Sequence, residues 1–409
     1  MSHGHLSLPT EESQCSPSHE FPHLEYVSFF CCVYLPLKLT RARPRRTTSI
    51  HILDDNSLLN IFYLYRHHLC DDPKPEDEVS IFGWFEWEHE HWWYDLVHVC
   101  RRWRHLILRS RTHLSLCLRC TQGTPVADML AHSPLLPIAI DYFVFEDDIT
   151  SEDEVDILVA LQHRERVCRI RLSLPIPNLQ DPTVAMDSEF PMLEYLFIGT
   201  TDGDYSGLML PKTLQAPHLR HLGLIGVVCT LRSLLITTAV GLVTLILGRI
   251  PRSAYFSPDD LILCISHLPR LEMLSITFLC PPSSHWVETQ SLQTPIMTDV
   301  TLANLRWFTF RGTNAYLEEL LPRITTPRLE KFDIGFFDQS DVSISHVQHY
   351  INTRRNSGSI VLRSSSMMRS FPYRRIQVTK LEWNPPSDRQ LTMESLTRNR
   401  KSQPWRPWY

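Results

Sequence analysis

Between Trp87 and Leu108 the chain reads WEHEHWWYDLVHVCRRWRHLIL, placing histidine, carboxylate, cysteine, tryptophan and arginine side chains close together. Three kinds of chemistry could use such a stretch. A metal would draw on His89, His91, His98 and Cys100, but HEHWW is not H-E-x-x-H, because its fifth position is Trp93. His89 and His91 are two apart, so they diverge on a helix and share a face only on a strand. Cys117 and Cys120 have C-x-x-C spacing without a second pair, which reads as two buried thiols. A nucleic-acid site would use Arg101, Arg102, Arg104, Arg109 and Arg111 against phosphate, with Trp103 for stacking. Trp103 falls on the apolar side of the segment, so charge and stacking point apart and a solvated helix face is expected. No G-x-G-x-x-G, G-x-x-x-x-G-K-[ST] or G-x-S-x-G occurs, and no setting for an activated nucleophile stands out. The expectation is no catalytic residue, no cofactor site and no metal site.

Composition narrows the classes further. The 409 residues are 43% hydrophobic and 21% charged, which is globular and allows more than one domain. A net charge of −5 supplies no overall basic field, so a dedicated nucleic-acid binder is not expected. Only 13 glycines stand against 29 prolines, which disfavours phosphate-cradling loops. The 11 cysteines are scattered and odd in number, as suits free thiols in a reducing compartment. The first ten residues have no signal-peptide pattern, and the apolar runs Tyr26–Leu39 and Thr237–Gly248 are too short to span a bilayer. A cytoplasmic or nuclear protein without membrane partners is expected. The basic run Arg41–Arg46 reads as a solvated linker, with a nuclear address as the alternative.

The elements that must position these side chains follow from periodicity. Residues 1–49 show no sustained period and read as a flexible leader. Leu58, Ile61, Phe62 and Tyr65 recur at i, i+3, i+4 and i+7, with Leu59 alongside, and Asp54 to Ser57 are all good N-cap types. An acidic, proline-containing insertion fills about 70–90. The period then returns through Leu96, Val99, Cys100, Trp103, Leu106 and Ile107, one continuous stripe on one helix. From 111 to 383 short strand-like runs alternate with short helical ones, including a helix near 151–164 opened by a Ser151/Glu154 capping box. The tail, 384–409, lacks any period and is expected to be disordered.

Within that long region a unit recurs. FPMLEYLFIGT, APHLRHLGLIG, AVGLVTLILGR, LPRLEMLSITF, LANLRWFTFRG and TPRLEKFDIGF share x-x-L-x-x-[LF]-x-[ILF], and RERVCRIRLSL fits through Val167, Ile170 and Leu172. The anchors are Leu193, Leu219, Leu242, Leu271, Leu305 and Leu329, spaced 26, 23, 29, 34 and 24 residues apart. Such periods mark leucine-rich repeats: a leucine turns inward, a short strand follows, and a helix or loop returns. No unit buries its apolar face alone, so stacking is obligatory. Variable spacing predicts an irregular curved αβ array. SGSIVLRSS and RRIQVTKLEW are candidates for two further strands.

LDDNSLLNIF followed by DLVHVCRRWRHLILRS resembles the F-box, and the repeats after it resemble the F-box/leucine-rich-repeat proteins of mushroom-forming fungi. Leu53, Leu58, Leu59, Ile61 and Phe62 match the first half of the motif. Leu96, Val99, Cys100 and Trp103 match the second, as do Arg101 and Arg104. Asp54 stands where the family has proline, Asn60 where it has glutamate, and the acidic insertion separates the halves. The resemblance implies a helical F-box over 50–110 and a leucine-rich array over 111–383. It further implies a substrate-recognition subunit of a ubiquitin ligase, binding a Skp-type adaptor, and through it a cullin, with the apolar residues just named. A target protein would be held by the repeats. Trp103 is the adaptor anchor, core of the small bundle, or both. The alternative function is a non-catalytic repeat scaffold, or a nucleic-acid-associated interaction protein, without adaptor binding. Glu194, Arg220, His221, Glu272, Arg306 and Glu330 follow the anchor leucines and are the candidate target-binding residues.

Overall fold

In the computed structural model the described residues are 53–70, 92–133, 135–143, 149–201, 207–281, 299–337, 350, 359–365 and 373–381. The leader, the acidic insertion beyond Cys70 and the tail from 384 lie outside them. The chain divides into two compact units, Met1–Leu58 and Leu59–Tyr409.

Of the first unit the start of helix α1 (Asp55–Cys70) is described. Asp54 is its N-cap: its carboxylate accepts from the Ser57 amide at 2.8 Å and from the Ser57 hydroxyl at 3.0 Å. Those hydrogen bonds favour the ionised form and hold the Asp54 carboxyl below its ordinary range. Leu58 is fully buried.

The second unit begins with the rest of α1 and two short helices, α2 (Trp92–Val99) and α3 (Arg101–Arg109). The continuous helix expected through Leu96–Ile107 is not formed. Cys100 is extended, at φ −160° and ψ 168°, and serves as the α3 N-cap, its sulfur accepting weakly from the Trp103 amide at 3.5 Å. The break re-phases the apolar side. Trp92, Trp93 and Val97 are buried in α2, whereas Val99 is 57% exposed. A periodicity of i, i+3, i+4 runs through a one-residue break unchanged, so the pattern alone could not show it.

After α3 the chain builds one 11-stranded sheet. Its strands are β1 (Leu118–Thr121), β2 (Ile138–Phe143), β3 (Val167–Leu174), β4 (Tyr195–Thr200), β6 (His221–Ile225), β8 (Thr244–Ile250), β9 (Met273–Phe278), β11 (Trp307–Gly312) and β13 (Lys331–Phe337). All nine are parallel and lie side by side in chain order. The candidates near the end form β14 (Ser359–Ser365) and β15 (Tyr373–Leu381), an antiparallel pair added beyond β13. Two-residue strands pair outside this sheet, β5 (Leu208–Met209) with β7 (Val227–Val228) and β10 (Val300–Thr301) with β12 (Ile324–Thr325). Connections carry helices α4 (Val126–His132), α5 (Ser151–Leu161), α6 (Ile176–Ala185), α7 (Leu234–Thr237), α8 (Pro258–Ser266) and α9 (Asn314–Leu320). Parallel neighbours joined in sequence by right-handed crossovers place such connections on one face of the sheet. The strand residues of that face are apolar: Ile170, Leu196, Leu222, Leu245, Leu274, Phe308 and Phe332 stand in one register row, each at most 3% exposed. Fully burying each such side chain is worth about 1.5–3 kcal/mol, which is the drive for stacking.

The repeat has a backbone cause. Each anchor leucine donates its N–H to the carbonyl three residues earlier, at 3.0–3.3 Å, and a strand starts two residues later. In four units proline is the second residue of this turn (Pro191, Pro217, Pro269, Pro327), where its fixed φ suits a β-turn. The first turn residue, Phe190, Ala216, Ala239, Leu268, Leu302 or Thr326, is at most 2% exposed. Thr326, the polar one, shares a 2.7 Å hydrogen bond with the Tyr350 hydroxyl. The capping box of α5 is formed by Thr150 and Asp153, not Ser151 and Glu154. Asp153 also accepts from the Gly123 amide at 2.8 Å, tying α5 to the turn after β1, and this tertiary partner decides the register of the cap.

Candidate interaction site

Side chains alternate between faces along each strand, so residues between the apolar rows form the other face of the sheet. One row there runs Arg119, Ala139, Arg169, Tyr195, His221, Thr244, Met273, Trp307 and Lys331 across nine strands. The next contains Asp141, Arg171, Phe197, Gly223, Ile246, Ser275, Thr309 and Asp333.

At the β1 side of this face Asp141 is gripped by two arginines. Arg171 donates from Nε and Nη2 to separate carboxylate oxygens, at 2.5 and 2.8 Å, and Arg119 donates to Oδ2 from the opposite strand. The Asp141 side chain is 2% exposed and both arginine side chains are 16% exposed. A carboxylate so deeply placed is tolerated because of this bidentate, doubly cationic pairing. Arg171 also lies over the Phe143 ring, 5.0 Å from its centroid.

An apolar cluster of Ala139, Tyr195, Phe197, Ile225 and Ile246 adjoins it, with Cys117, Phe143 and Met273 packed alongside. Glycines make room for it: a Cβ at Gly223 would stand 2.6 Å from Phe197 Cδ2, and one at Gly199 would stand 3.1 Å from Phe197 Cε1. His221 shares a 3.1 Å hydrogen bond with Thr244. Burial, with Arg220 and Arg169 adding to it, lowers the His221 pKa to about 4, so the ring is neutral at pH 7.

Of the candidate target-binding residues, the fold brings five into one line. Glu194, Arg220, Glu272, Arg306 and Glu330 each sit one residue before a strand, and the carbonyls of Glu194, Arg220, Val243, Glu272 and Arg306 each accept two successive amides of the next unit at 2.7–3.1 Å. Their charges alternate except at Val243. Arg306 grips Glu330 at 3.0 Å from Nε and 2.8 Å from Nη2. His221 is separate from the five, one position further on and within the sheet face. Arg119, Asp141 and Arg171 were not among the candidates, because residues 22 and 30 apart meet only once strands have paired in a particular register.

The adaptor-type residues divide differently. Leu58 and Phe62 are buried, and Leu53, Leu59, Leu96, Cys100 and Trp103 are half-buried. Ile61 is 45% and Leu64 65% exposed. Trp103 packs edge-on to Phe62, so bundle packing is at least part of its role. Among the described residues no group of three or more His, Cys, Asp or Glu side chains could hold a metal ion; His89 and His91 lie outside them. Cys120 is buried and Cys117 half-buried, neither of them in a disulfide, and burial pushes the Cys120 thiol up to about 12. No described helix is long and apolar enough to cross a membrane.

Comparison with family models, with curated proteins and with solved structures finds no match. The class that the fold defines is a mixed α/β array with a large parallel sheet and flanking helices.

Proposed function

We propose that this chain is a non-catalytic repeat scaffold that holds a partner protein against the sheet face opposite its leucine rows. One observation carries the reading. Nine parallel strands in chain order place one residue per unit on a shared row, and that row mixes arginine, histidine, tyrosine, threonine, methionine, tryptophan and lysine. Aromatic and arginine side chains dominate the energetics of protein contacts, and repeat surfaces present them in line. The test compares proteins captured from native cells by the wild-type chain and by a Trp307→Ala/Lys331→Glu variant. Selective loss of a partner from the variant is expected; identical partner sets would defeat the proposal.

A second reading, the adaptor-binding subunit of a ubiquitin ligase, draws support from α1. Ile61 and Leu64 lie three apart on one helical face and remain largely exposed, although their neighbours Leu58 and Phe62 are buried. An exposed apolar pair on an amphipathic helix suits helix-in-groove docking. In this reading the adaptor meets Ile61 and Leu64, and Trp103 supports the helix from behind. Capture of a purified Skp-type adaptor by the wild type, and its loss in Ile61→Asp, is the expected outcome; no capture by the wild type would remove the reading.

A further inference from the structure

The arginine-rich face of α3 is not used by either reading. From Leu96 to Ala127 the chain contains six arginines and no lysine, aspartate or glutamate. Helix α3 carries arginine at both of its first two positions and no acidic residue in its first turn. Positive charge there opposes the helix dipole. The flanking cap, the Cys100 thiol, supplies only a weak acceptor.

Arg101, Arg104, His105, Arg109 and Arg111 are exposed. Two of the guanidinium groups are held in place by backbone carbonyls: Arg104 Nε donates to Val97 O at 3.0 Å, and Arg111 Nη1 donates to Leu135 O at 3.1 Å. Each keeps further N–H groups for another acceptor. Among the described residues Arg101, Arg104, Arg109 and Arg111 enter no ion pair. A face of guanidinium forks, two of them anchored and none ion-paired among the described residues, is arranged for carboxylates or phosphates.

Size and aromatic placement choose between these. The helical part of the face, Arg101 to Arg109, is about 12 Å long at 1.5 Å per residue. That matches roughly four residues of extended peptide at about 3.3 Å each, whereas specific nucleic-acid interfaces bury on the order of 1,000 Å² or more. Base stacking is also poorly served, since Trp103 is engaged edge-on with Phe62 and His113 is stacked on Tyr63. We propose that the exposed arginine face of α3 binds a short acidic segment of a partner protein.

The experiment uses the full chain and fluorescence anisotropy with three labelled probes: a short glutamate-rich peptide, its glutamine counterpart and a single-stranded RNA. The glutamate peptide is expected to bind and the glutamine peptide not to. An Arg101→Gln/Arg109→Gln variant should bind the glutamate peptide about tenfold more weakly. Arg270→Gln, an exposed arginine of the array outside the candidate interaction site, should leave it unchanged. Absence of binding to the glutamate peptide, equal binding by the double variant, or RNA binding tighter than peptide and lost in that variant would each overturn the proposal. Circular dichroism matching the wild type confirms that the double variant is folded.

Discussion

Trp103 meets Phe62 edge to face, with ring centroids 4.8 Å apart and planes inclined at 67°. One ring comes from α3 and the other from α1, so this contact links the two helices within the second unit. A tryptophan so placed contributes mainly to packing. Trp103→Ala should destabilise the helical region by about 2–3 kcal/mol, below the loss for a fully buried aromatic because Trp103 is half-buried. Denaturant titration measures this. Ile61→Asp should change stability by less than about 0.5 kcal/mol, being an exposed position. If Trp103→Ala proved neutral, the packing role would be wrong.

The Phe197 ring occupies the space that a side chain at position 223 would need. Gly223→Ala should therefore cost about 1–3 kcal/mol through displacement of a ring. Gly248→Ala should cost less, because the atom it meets is the terminal Cδ1 methyl of Ile225, which can rotate away. Melting temperatures of the two variants give the order directly, and the reverse order would count against this account of the face.

Asp141 is the shared acceptor of Arg119 and Arg171 at the β1 side of the sheet. Asp141→Asn keeps the shape and removes the charge. A loss of about 3 kcal/mol or more is expected, as for other buried ion groups deprived of one member. A variant as stable as the wild type would show that these arginines do not depend on that carboxylate.

His221 should make stability depend on pH. Its pKa in the fold, about 4, lies below the ordinary 6.5, so the unfolded chain binds a proton that the folded chain refuses. Its contribution is full above pH 6.5 and is lost as pH falls toward 4. The size is roughly 2 kcal/mol once partial exposure is allowed for. In a His221→Gln variant the unfolding free energy should fall less steeply between pH 6.5 and 4, and an unchanged slope would assign the pH dependence elsewhere.

The anchor leucines were legible because a buried leucine and its turn recur with local chemistry, and all six lead strands as their spacing implied. The charged positions after them were legible as surface, but their alignment into one row was not, since return lengths differ. Asp141 reads locally as one polar residue within an apolar strand. Its two arginines are assigned by register, a property of pairing. Cys100 misled for another reason: an apolar contact and a weak cap occupy the same place in the helical period, and only the backbone angle separates them.

The five doubly accepting carbonyls have a bearing on how this chain can vary. Anchors are spaced by as few as 23 and as many as 34 residues, yet every returning segment is docked at the same point of its predecessor by two amides. Errors in length are thus cancelled at each return and do not accumulate. An insertion in one return leaves the inside-outside phase of all later strands intact, so individual units are free to lengthen, shorten or be exchanged while the rest keep their frame.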